Sequence, residues 1–247
     1  HDEERLMYKN LQFGNTSNSS HNVQDLNTAL SRMSALAAVS VMVPGPKMIW
    51  HFGELGMNNS IFTCNNGTVN TPDDATPGDC KLDTKPQPQW GNNWITDAVR
   101  SQIYDDWSRL HKLKIEEPVF EGEYTISSGD FTPRIDIFDT SIPTTELRNV
   151  IILANFDVNT QFVNTNFPAG VTTTWYDLMD PTGNTTVSNS TTTITIPAGQ
   201  FRILGNKPSS ILSVDDQNFS VFSIYPNPTQ SLFRINSNVS NIEIYDL

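Results

Sequence analysis

The chain opens on two neighbouring residues that could do chemistry together, His1 and Asp2. A carboxylate can stabilise positive charge that develops in a transition state, and an imidazole N–H beside it can donate a hydrogen bond to a substrate. Two polar residues at a chain end are common, so this pair needs support from the residues that would face it.

A second carboxylate, Glu54, stands in the run Gly-Glu-Leu-Gly at residues 53–56. It could reach a substrate, or it could bond backbone N–H groups of its own turn. Two tryptophans further along, Trp90 and Trp94, have faces suited to the apolar face of a sugar ring, although a tryptophan buried in a packed wall is commoner. The sequence leaves both alternatives open for all three residues.

The two cysteines, Cys64 and Cys80, lie in one stretch without hydrophobic periodicity. A disulfide between them requires an oxidising compartment and would stabilise the fold by about 3 kcal/mol. The alternative is two unpaired thiols. The even count and the short separation favour the disulfide.

The composition excludes several classes of function. Of the 247 residues, 37% are apolar and 10% aromatic, enough for well-filled cores. The net charge of −12 repels phosphate backbones and anionic lipid head groups, which argues against nucleic acid and membrane-surface partners. The longest apolar run, at residues 36–46, falls short of the roughly 20 residues of a membrane span, so no transmembrane segment is predicted. The charged start lacks the regions of a signal peptide and indicates a truncated chain.

Two helices are predicted from apolar residues that recur at steps of three and four. The first covers residues 22–39, with Asn22 as its N-cap. The second covers residues 95–113, with Thr96 or Asn93 as its N-cap. Each presents one apolar face to a core.

Between the helices, the apolar run at residues 48–52 predicts a strand buried on both faces. Residues 57–94 are rich in Asn, Gly, Pro, Thr and Asp and predict a long loop. The order of helix, strand, loop and helix is typical of a (β/α)8 barrel. Residues 1–117 are therefore predicted to be the last strands and helices of such an α/β barrel.

After Pro118 the pattern changes to alternating apolar and polar residues separated by turn clusters, which predicts an antiparallel β-sandwich at residues 118–206. Residues 207–218 are a polar linker, and residues 219–247 start a third, partial β unit. The sandwich strands are predicted at residues 124–126, 135–137, 150–153, 172–176 and 193–196.

Three runs in the first part of the chain share one known pattern. They are His-Asp-Glu-Glu-Arg-Leu at residues 1–6, Pro-Gly-Pro-Lys-Met-Ile-Trp-His-Phe-Gly-Glu-Leu-Gly at residues 44–56, and Lys-Pro-Gln-Pro-Gln-Trp at residues 85–90. They resemble, in order, the region after the seventh barrel strand, the eighth strand with its loop, and the approach to the eighth helix of glycoside hydrolase family 13, the α-amylase family. The resemblance covers roughly residues 1–205.

The resemblance implies a retaining hydrolase that acts on α-1,4-glucans such as starch, glycogen and maltodextrin. Asp2 would be the carboxylate that stabilises the transition state, and His1 would contact the substrate beside it. Glu54, Trp90 and Trp94 would be further candidates for substrate binding.

The nucleophile and general acid of the family come from its fourth and fifth barrel strands, which this chain does not contain. The run Arg-Ile-Asp at residues 134–136 has the letters of the nucleophile motif but lies in the predicted β-sandwich. This chain alone is therefore predicted to be inactive and to hold no cofactor. Family members often carry calcium, but the residues that would bind it precede His1, so calcium is expected only in a full-length enzyme.

The end of the chain carries the run Val-Phe-Ser-Ile-Tyr-Pro-Asn-Pro at residues 221–228, followed by apolar runs at residues 232–235 and 242–247. This pattern is similar to the C-terminal sorting domain of the type IX secretion system of Bacteroidetes. It implies a secreted or surface-attached protein with the export machinery as a partner. The alternative is an ordinary appended β module.

Two other functions stay open. A Ser-His-Asp-Glu run also occurs in branching enzymes, so residues 1–3 do not separate hydrolysis from glucan transfer by a branching or cyclodextrin-forming relative. The β module could also belong to a non-catalytic glucan-binding surface protein. His1 and Asp2 argue against that function, because a pure binding module has no need for a cleft carboxylate.

Overall fold

The computed structural model of this chain describes residues 3–50, 52–64, 68–69, 89–128, 130–209, 224–225 and 234–235. The chain divides into two compact units, His1–Ser213 and Val214–Leu247. The described helices all belong to the first unit. They are α1 (Leu6–Phe13), α2 (Leu26–Ser31), α3 (Met33–Val41) and α4 (Ala98–Glu116).

The helix predicted at residues 22–39 is two helices, α2 and α3, which meet at Arg32. The prediction of Asn22 as its N-cap is wrong. The N-cap is Asp25, whose carboxylate accepts the N–H of Thr28 at 3.0 Å. Asn22 instead accepts a backbone N–H two residues on, at 2.9 Å. Asn and Asp cap helices about equally well, so the sequence pattern could not choose between them.

The helix predicted at residues 95–113 begins and ends three residues later, as α4. Its N-cap is Asp97, which accepts two backbone N–H groups of the first turn. Thr96 and Asn93 are therefore wrong as caps. Asn93 has a left-handed backbone (φ 49°) and opens a short 3-10 turn, of which Thr96 is the last residue.

The helices pack closely because α3 is rich in small residues, three of which are fully buried: Ala35, Ala37 and Ala38. The indole N–H of Trp107 on α4 donates to the carbonyl of Met33 at 3.2 Å, which satisfies the polar atom of a buried side chain. The buried face of α4 also contains Ile103, Leu110 and Leu113.

The strand predicted at residues 48–52 is wrong for the part of it that the structure describes. Residues 46–50 have no regular secondary structure and pair with no described strand, and His51 lies outside the described residues. Met48 is 83% exposed. A strand buried on both faces needs a hydrogen-bonded neighbour on each edge, and an apolar run does not reveal whether such neighbours are present.

The β module is antiparallel, as predicted, and is built on a six-stranded sheet in the order β1-β2-β3-β8-β5-β6. Strands β4 and β7 pair with each other in a second, two-stranded sheet. The strands are β1 (Glu123–Ser127), β2 (Arg134–Phe138), β3 (Asn149–Ala154), β4 (Gln161–Asn164), β5 (Thr174–Asp177), β6 (Thr186–Ser188), β7 (Thr193–Ile196) and β8 (Phe201–Gly205).

The middle of the large sheet is covered on both faces. Alternate residues of β3, such as Val150 and Ile152, face the core that contains the helices, while Ile151 and Leu153 face the core that contains β4 and β7. The predicted two-sheet sandwich thus has a two-stranded second sheet on one face and helices on the other. Strands β4, β6 and β8 were not among the predicted strands.

The second unit is described in one pair of short strands. They are β9 (Ile224–Tyr225) and β10 (Arg234–Ile235), which pair antiparallel. The rest of the Tyr-Pro-Asn-Pro run lies outside the described residues.

A carboxylate, that of Asp180, organises the loop between β5 and β6. Asp180 accepts hydrogen bonds from the backbone N–H groups of Thr182 at 2.8 Å and Thr185 at 2.7 Å, and from the hydroxyl of Thr182 at 2.7 Å. These donors lower the pKa of Asp180, because they stabilise the charged carboxylate.

We therefore expect Asp180→Asn to destabilise the chain at pH 7 and the deficit to shrink in acid. A depressed folded pKa adds stability that is present above the unfolded value of about 3.9 and is lost as the pH falls through the folded pKa. Thermal melts of both proteins between pH 7 and pH 2.5 measure the difference. Glu146→Gln, which changes an exposed carboxylate, is the control, and a deficit that stays constant over this range would contradict the prediction.

Candidate functional site

Glu4 and Arg5, which follow Asp2 in the chain, are hydrogen-bonded to the loop at residues 58–61. One carboxylate oxygen of Glu4 accepts the hydroxyl of Ser60 at 2.5 Å, and the other accepts the backbone N–H of Ile61 at 2.8 Å. The same oxygen also accepts the N–H of Arg5 at 2.9 Å. Ser60 and Ile61 are buried, so a core turn anchors the start of the described chain.

Arg5 adds a second attachment between the same two segments. Its guanidinium donates to the carbonyl of Asn59 at 3.0 Å and lies 5.0 Å from the ring centre of Trp50. Burial lowers the pKa of Arg5, while the charge of Glu4 opposes that shift. The Nε atom of Arg5 is buried and has no hydrogen-bond partner among the described residues.

Arg100, from the first turn of α4, clamps the loop between these attachments. Its guanidinium donates to the carbonyls of Leu55 at 2.6 Å and Gly56 at 2.8 Å, and to the side-chain oxygen of Asn58 at 3.2 Å. It also lies 4.1 Å from the ring centre of Trp94. Only 5% of Arg100 is exposed, so the clamp works inside the protein.

A glycine is required at position 56, whose carbonyl accepts a hydrogen bond from Arg100. Its backbone is left-handed (φ 65°), and an added Cβ would come within 2.4 Å of Leu30. The loop reaches this position after another left-handed residue, Phe52 (φ 58°).

An apolar groove of 410 Å³ borders Glu4 and Arg5. Residues of α1, residues of α3 and the irregular segment at residues 47–50 form its walls. The larger apolar side chains along it are Leu6, Met7, Met33, Leu36, Met48, Ile49, Trp50, Met57 and Trp107.

The predicted catalytic pair, His1 and Asp2, lies outside the described residues. Cys64 is described and is disulfide-bonded, whereas Cys80 lies outside, so their pairing stays a prediction.

Glu54 is half-buried in a recess of 420 Å³ that it shares with residues of α4, among them Tyr104, Trp107 and His111. Among the described residues its carboxylate accepts no hydrogen bond, including from the N–H groups of its own turn. Its predicted contact with substrate stays a prediction.

The two candidate tryptophans differ in what is described. The side chain of Trp90 lies outside the described residues. Trp94 packs edge-to-face against Phe52, with centroids 6.4 Å apart, and is covered by Arg100. Trp94 therefore supports the loop, and its contact with glucan stays a prediction.

The sequence interpretation gave no role to Glu4, Ser60 or Arg100. For Arg100 a signal existed, because it lies three residues before Ile103 and seven before Trp107, on the apolar face of α4. A charged residue on such a face is buried with hydrogen-bond partners or not buried at all. Glu4 and Ser60 carry no such signal, since their contact joins distant parts of the chain.

Within the described part of the chain, no three His, Cys, Asp or Glu residues lie close enough together to hold a metal ion. The helices that are described include none long and apolar enough to cross a membrane.

We expect Arg100→Ala to destabilise the chain by about 2–4 kcal/mol, because it leaves buried carbonyl groups without donors. Arg109→Ala, on the same helix, is the matched control, since Arg109 makes no hydrogen bond or ion pair among the described residues. We expect the control to change stability by less than about 0.5 kcal/mol. Urea denaturation measures both, and equal effects of the two variants would contradict the clamp.

Solved structures share this fold over part of their length. AmyP in complex with maltose matches with a TM-score of 0.55 and 16% identity, over 77% of this chain and 39% of that one. A variant of AmyP in complex with maltotriose matches with a TM-score of 0.54 and 14% identity, over 76% and 39%. A trehalulose synthase variant in complex with Tris matches with a TM-score of 0.51 and 13% identity, over 83% and 42%.

No protein-family model matches the sequence, and no curated protein does. The chain spans about 39% of the length of AmyP. At this level of identity the likeness concerns architecture. The chain therefore has the fold of a part of these enzymes.

Proposed function

We propose that this chain is the C-terminal part of a retaining glycoside hydrolase of the α-amylase family, acting on α-1,4-glucans. The proposal rests on the hydrogen bonds between Glu4 and the loop at residues 58–61, in a chain that has the fold of part of AmyP. With the contact of Arg5 on Trp50, they attach the segment after Asp2 to the segment that contains and follows Trp50. In a barrel enzyme these segments follow neighbouring strands and meet at the edge where the active site lies.

In this proposal Asp2 stabilises the positive charge that develops on the sugar ring, and His1 donates to a hydroxyl beside the reacting carbon. The nucleophile and the general acid, about 5 Å apart in a retaining enzyme, come from sequence before His1. The chain by itself then holds one wall of the site and has no hydrolytic activity.

The exposed apolar groove supports the same proposal. Met48 and Ile49 are 83% and 37% exposed beside a groove with mostly apolar walls. In the proposed enzyme, barrel sequence that precedes His1 covers this surface. Burial of these side chains would then offset their unfavourable exposure to water.

Glucan transfer is the second candidate. A trehalulose synthase shares the fold, so the fold does not separate hydrolysis from transfer. Incubation of the full-length enzyme with soluble starch distinguishes them. Hydrolysis releases new reducing ends, whereas new α-1,6 branches without reducing ends would establish transfer.

We also propose that residues 219–247 belong to a sorting domain of type IX secretion, so that the protein is secreted or attached to the cell surface. The antiparallel pairing of β9 with β10, which flanks the Tyr-Pro-Asn-Pro run, supports a β unit at this end. Removal of this region from the full-length protein in a Bacteroidetes host should leave the enzyme inside the cell. Unchanged export would refute the proposal.

The hydrolase proposal predicts two motifs in the sequence that precedes His1. The reading frame before His1 must encode a Gly-x-Arg-x-Asp run and, after it, a catalytic Glu. If both are missing, the hydrolase proposal fails and a glucan-binding surface protein becomes the better explanation.

Asp2→Asn in the full-length enzyme should lower kcat about 10²–10³-fold, because an amide cannot supply the negative charge that the transition state needs. The melting temperature should not change. Release of reducing ends from soluble starch measures the rate. Asp130→Asn, an exposed carboxylate of the β module, is the control, and an Asp2 variant as active as this control would refute the assignment.

A further inference from the structure

We propose that the cleft between α4 and the strands β5 and β8 binds an α-1,4-glucan oligosaccharide, as a site separate from the apolar groove beside Glu4 and Arg5. The cleft has a volume of 570 Å³, within the roughly 300–1,000 Å³ of small-molecule sites. It shares no lining residue with the apolar groove. The kind of sugar rests on the proposed function, whereas the fit to a neutral sugar rests on the cleft itself.

A buried hydroxyl group without a partner lines the cleft. Ser34 of α3 is only 8% exposed. Its hydroxyl makes no hydrogen bond within the part of the chain that the structure describes. Bulk water solvates so buried a hydroxyl poorly, so a ligand that bonds to it gains more than it would at an open surface.

Asp177, at the end of β5, adds a carboxylate with unused capacity to accept. One of its oxygens accepts the N–H of Met179 at 3.0 Å. The other lies 3.7 Å from Nε of Arg202, which is an ion pair but too long for a hydrogen bond. The side chain is 11% exposed, and this burial raises the pKa of Asp177. A ligand hydroxyl that donates to the second oxygen would replace the solvation that burial removes.

The wall that α4 contributes supplies both donors and acceptors. It contains Gln102, Asp106 and Arg109, which follow one another at steps of four and three on one side of the helix. The side-chain NH₂ of Gln102 donates to Asp106 at 2.9 Å. Arg109 makes no hydrogen bond or ion pair among the described residues, so its donors are available to a ligand.

The charges along the cleft select a neutral ligand. Its carboxylates are those of Asp106 and Asp177. Its guanidinium groups are those of Arg109 and Arg202, so the four charges cancel. A phosphate would meet both carboxylates, and a cation would meet both guanidinium groups. A sugar hydroxyl both donates and accepts, as this mixture requires, and Phe201 offers an apolar surface to the C–H face of the ring.

Titration of the isotope-labelled chain with maltotriose, followed through its amide NMR signals, tests the proposal. We expect saturable shift changes that concentrate at the cleft, among them those of Gln102, Met179 and Phe201. The proposed function leaves this chain without hydrolytic activity, so the sugar is not consumed during the titration.

Variants of the cleft should weaken binding without unfolding the chain. We expect Ser34→Ala to raise the Kd about threefold to tenfold, and Asp177→Asn and Arg109→Ala to raise it about tenfold. Lys112→Ala, which removes an exposed cation of α4 outside the cleft, is the matched control for Arg109→Ala and should change the Kd less than about twofold. Ser34→Ala removes no hydrogen bond of the described residues, so its melting temperature should stay that of the wild type.

Three results overturn the proposal. The first is a titration in which the cleft amides do not shift, or a Kd that stays unchanged in both Ser34→Ala and Arg109→Ala. The second is a saturable shift of the same amides by inorganic phosphate, because the cleft would then select an anion. The third is equally tight binding of cellotriose, whose β-1,4 linkages would show that the cleft does not recognise an α-1,4-glucan. If Asp177→Asn does not fold, the other two variants decide.

Activity of the full-length enzyme separates failure of this inference from failure of the proposed function. An enzyme that cleaves starch, together with a chain whose cleft amides ignore maltotriose, removes the glucan site alone. An enzyme inactive on every α-glucan, together with cleft amides that shift with maltotriose as the variants predict, removes the hydrolase and leaves the glucan site in place.

Discussion

The loop at residues 52–61 is partly buried and contains neither an α-helix nor a strand. A 3-10 turn at Gly53–Leu55 pairs some of its backbone groups, and other buried ones find partners in side chains. Charged residues meet this need from two sides. Arg100 supplies donors to the carbonyls of Leu55 and Gly56, and Glu4 supplies an acceptor to the N–H of Ile61. Hydrogen bonds to charged groups are stronger than neutral ones, so these contacts add to the backbone hydrogen bonds of the loop itself. The candidate site depends on these contacts, because they join the segment after Asp2, the loop and α4.

The rigidity of that assembly comes from the packing beneath it. Helices α2, α3 and α4 share one apolar core with the large sheet, in which Ile152 of β3 and Ile203 of β8 take part. Arg32, between α2 and α3, donates to the carbonyls of Phe156 at 2.6 Å and Asp157 at 3.2 Å. The helices therefore pack on the β module, and Arg100 of α4 in turn hydrogen-bonds the loop at residues 52–61.

What the sequence could predict follows from the range of each interaction. Helix periodicity is local, and it predicted both ends of α4 within three residues. The helix predicted at residues 22–39 missed the break at Arg32 that separates α2 from α3. Caps failed because Asn22 and Asp25, or Thr96 and Asp97, compete within one turn and differ only in geometry. Strand β8 was not predicted, and the strand predicted at residues 48–52 is wrong where it is described. A local pattern does not reveal whether a segment has the hydrogen-bonded neighbours that a strand needs.

Within the candidate site, too, the contacts that could be predicted from sequence are the local ones. Arg100 could be found, because its own helix shows that a charge lies on the apolar face. Glu4 could not, because Ser60 and Ile61 lie more than fifty residues away in the sequence. A sequence motif selects His1 and Asp2 because reacting groups are few and recognisable, whereas Glu4 and Arg100 have ordinary chemistry. Glu4 becomes visible only when the folded chain shows which buried donors it satisfies.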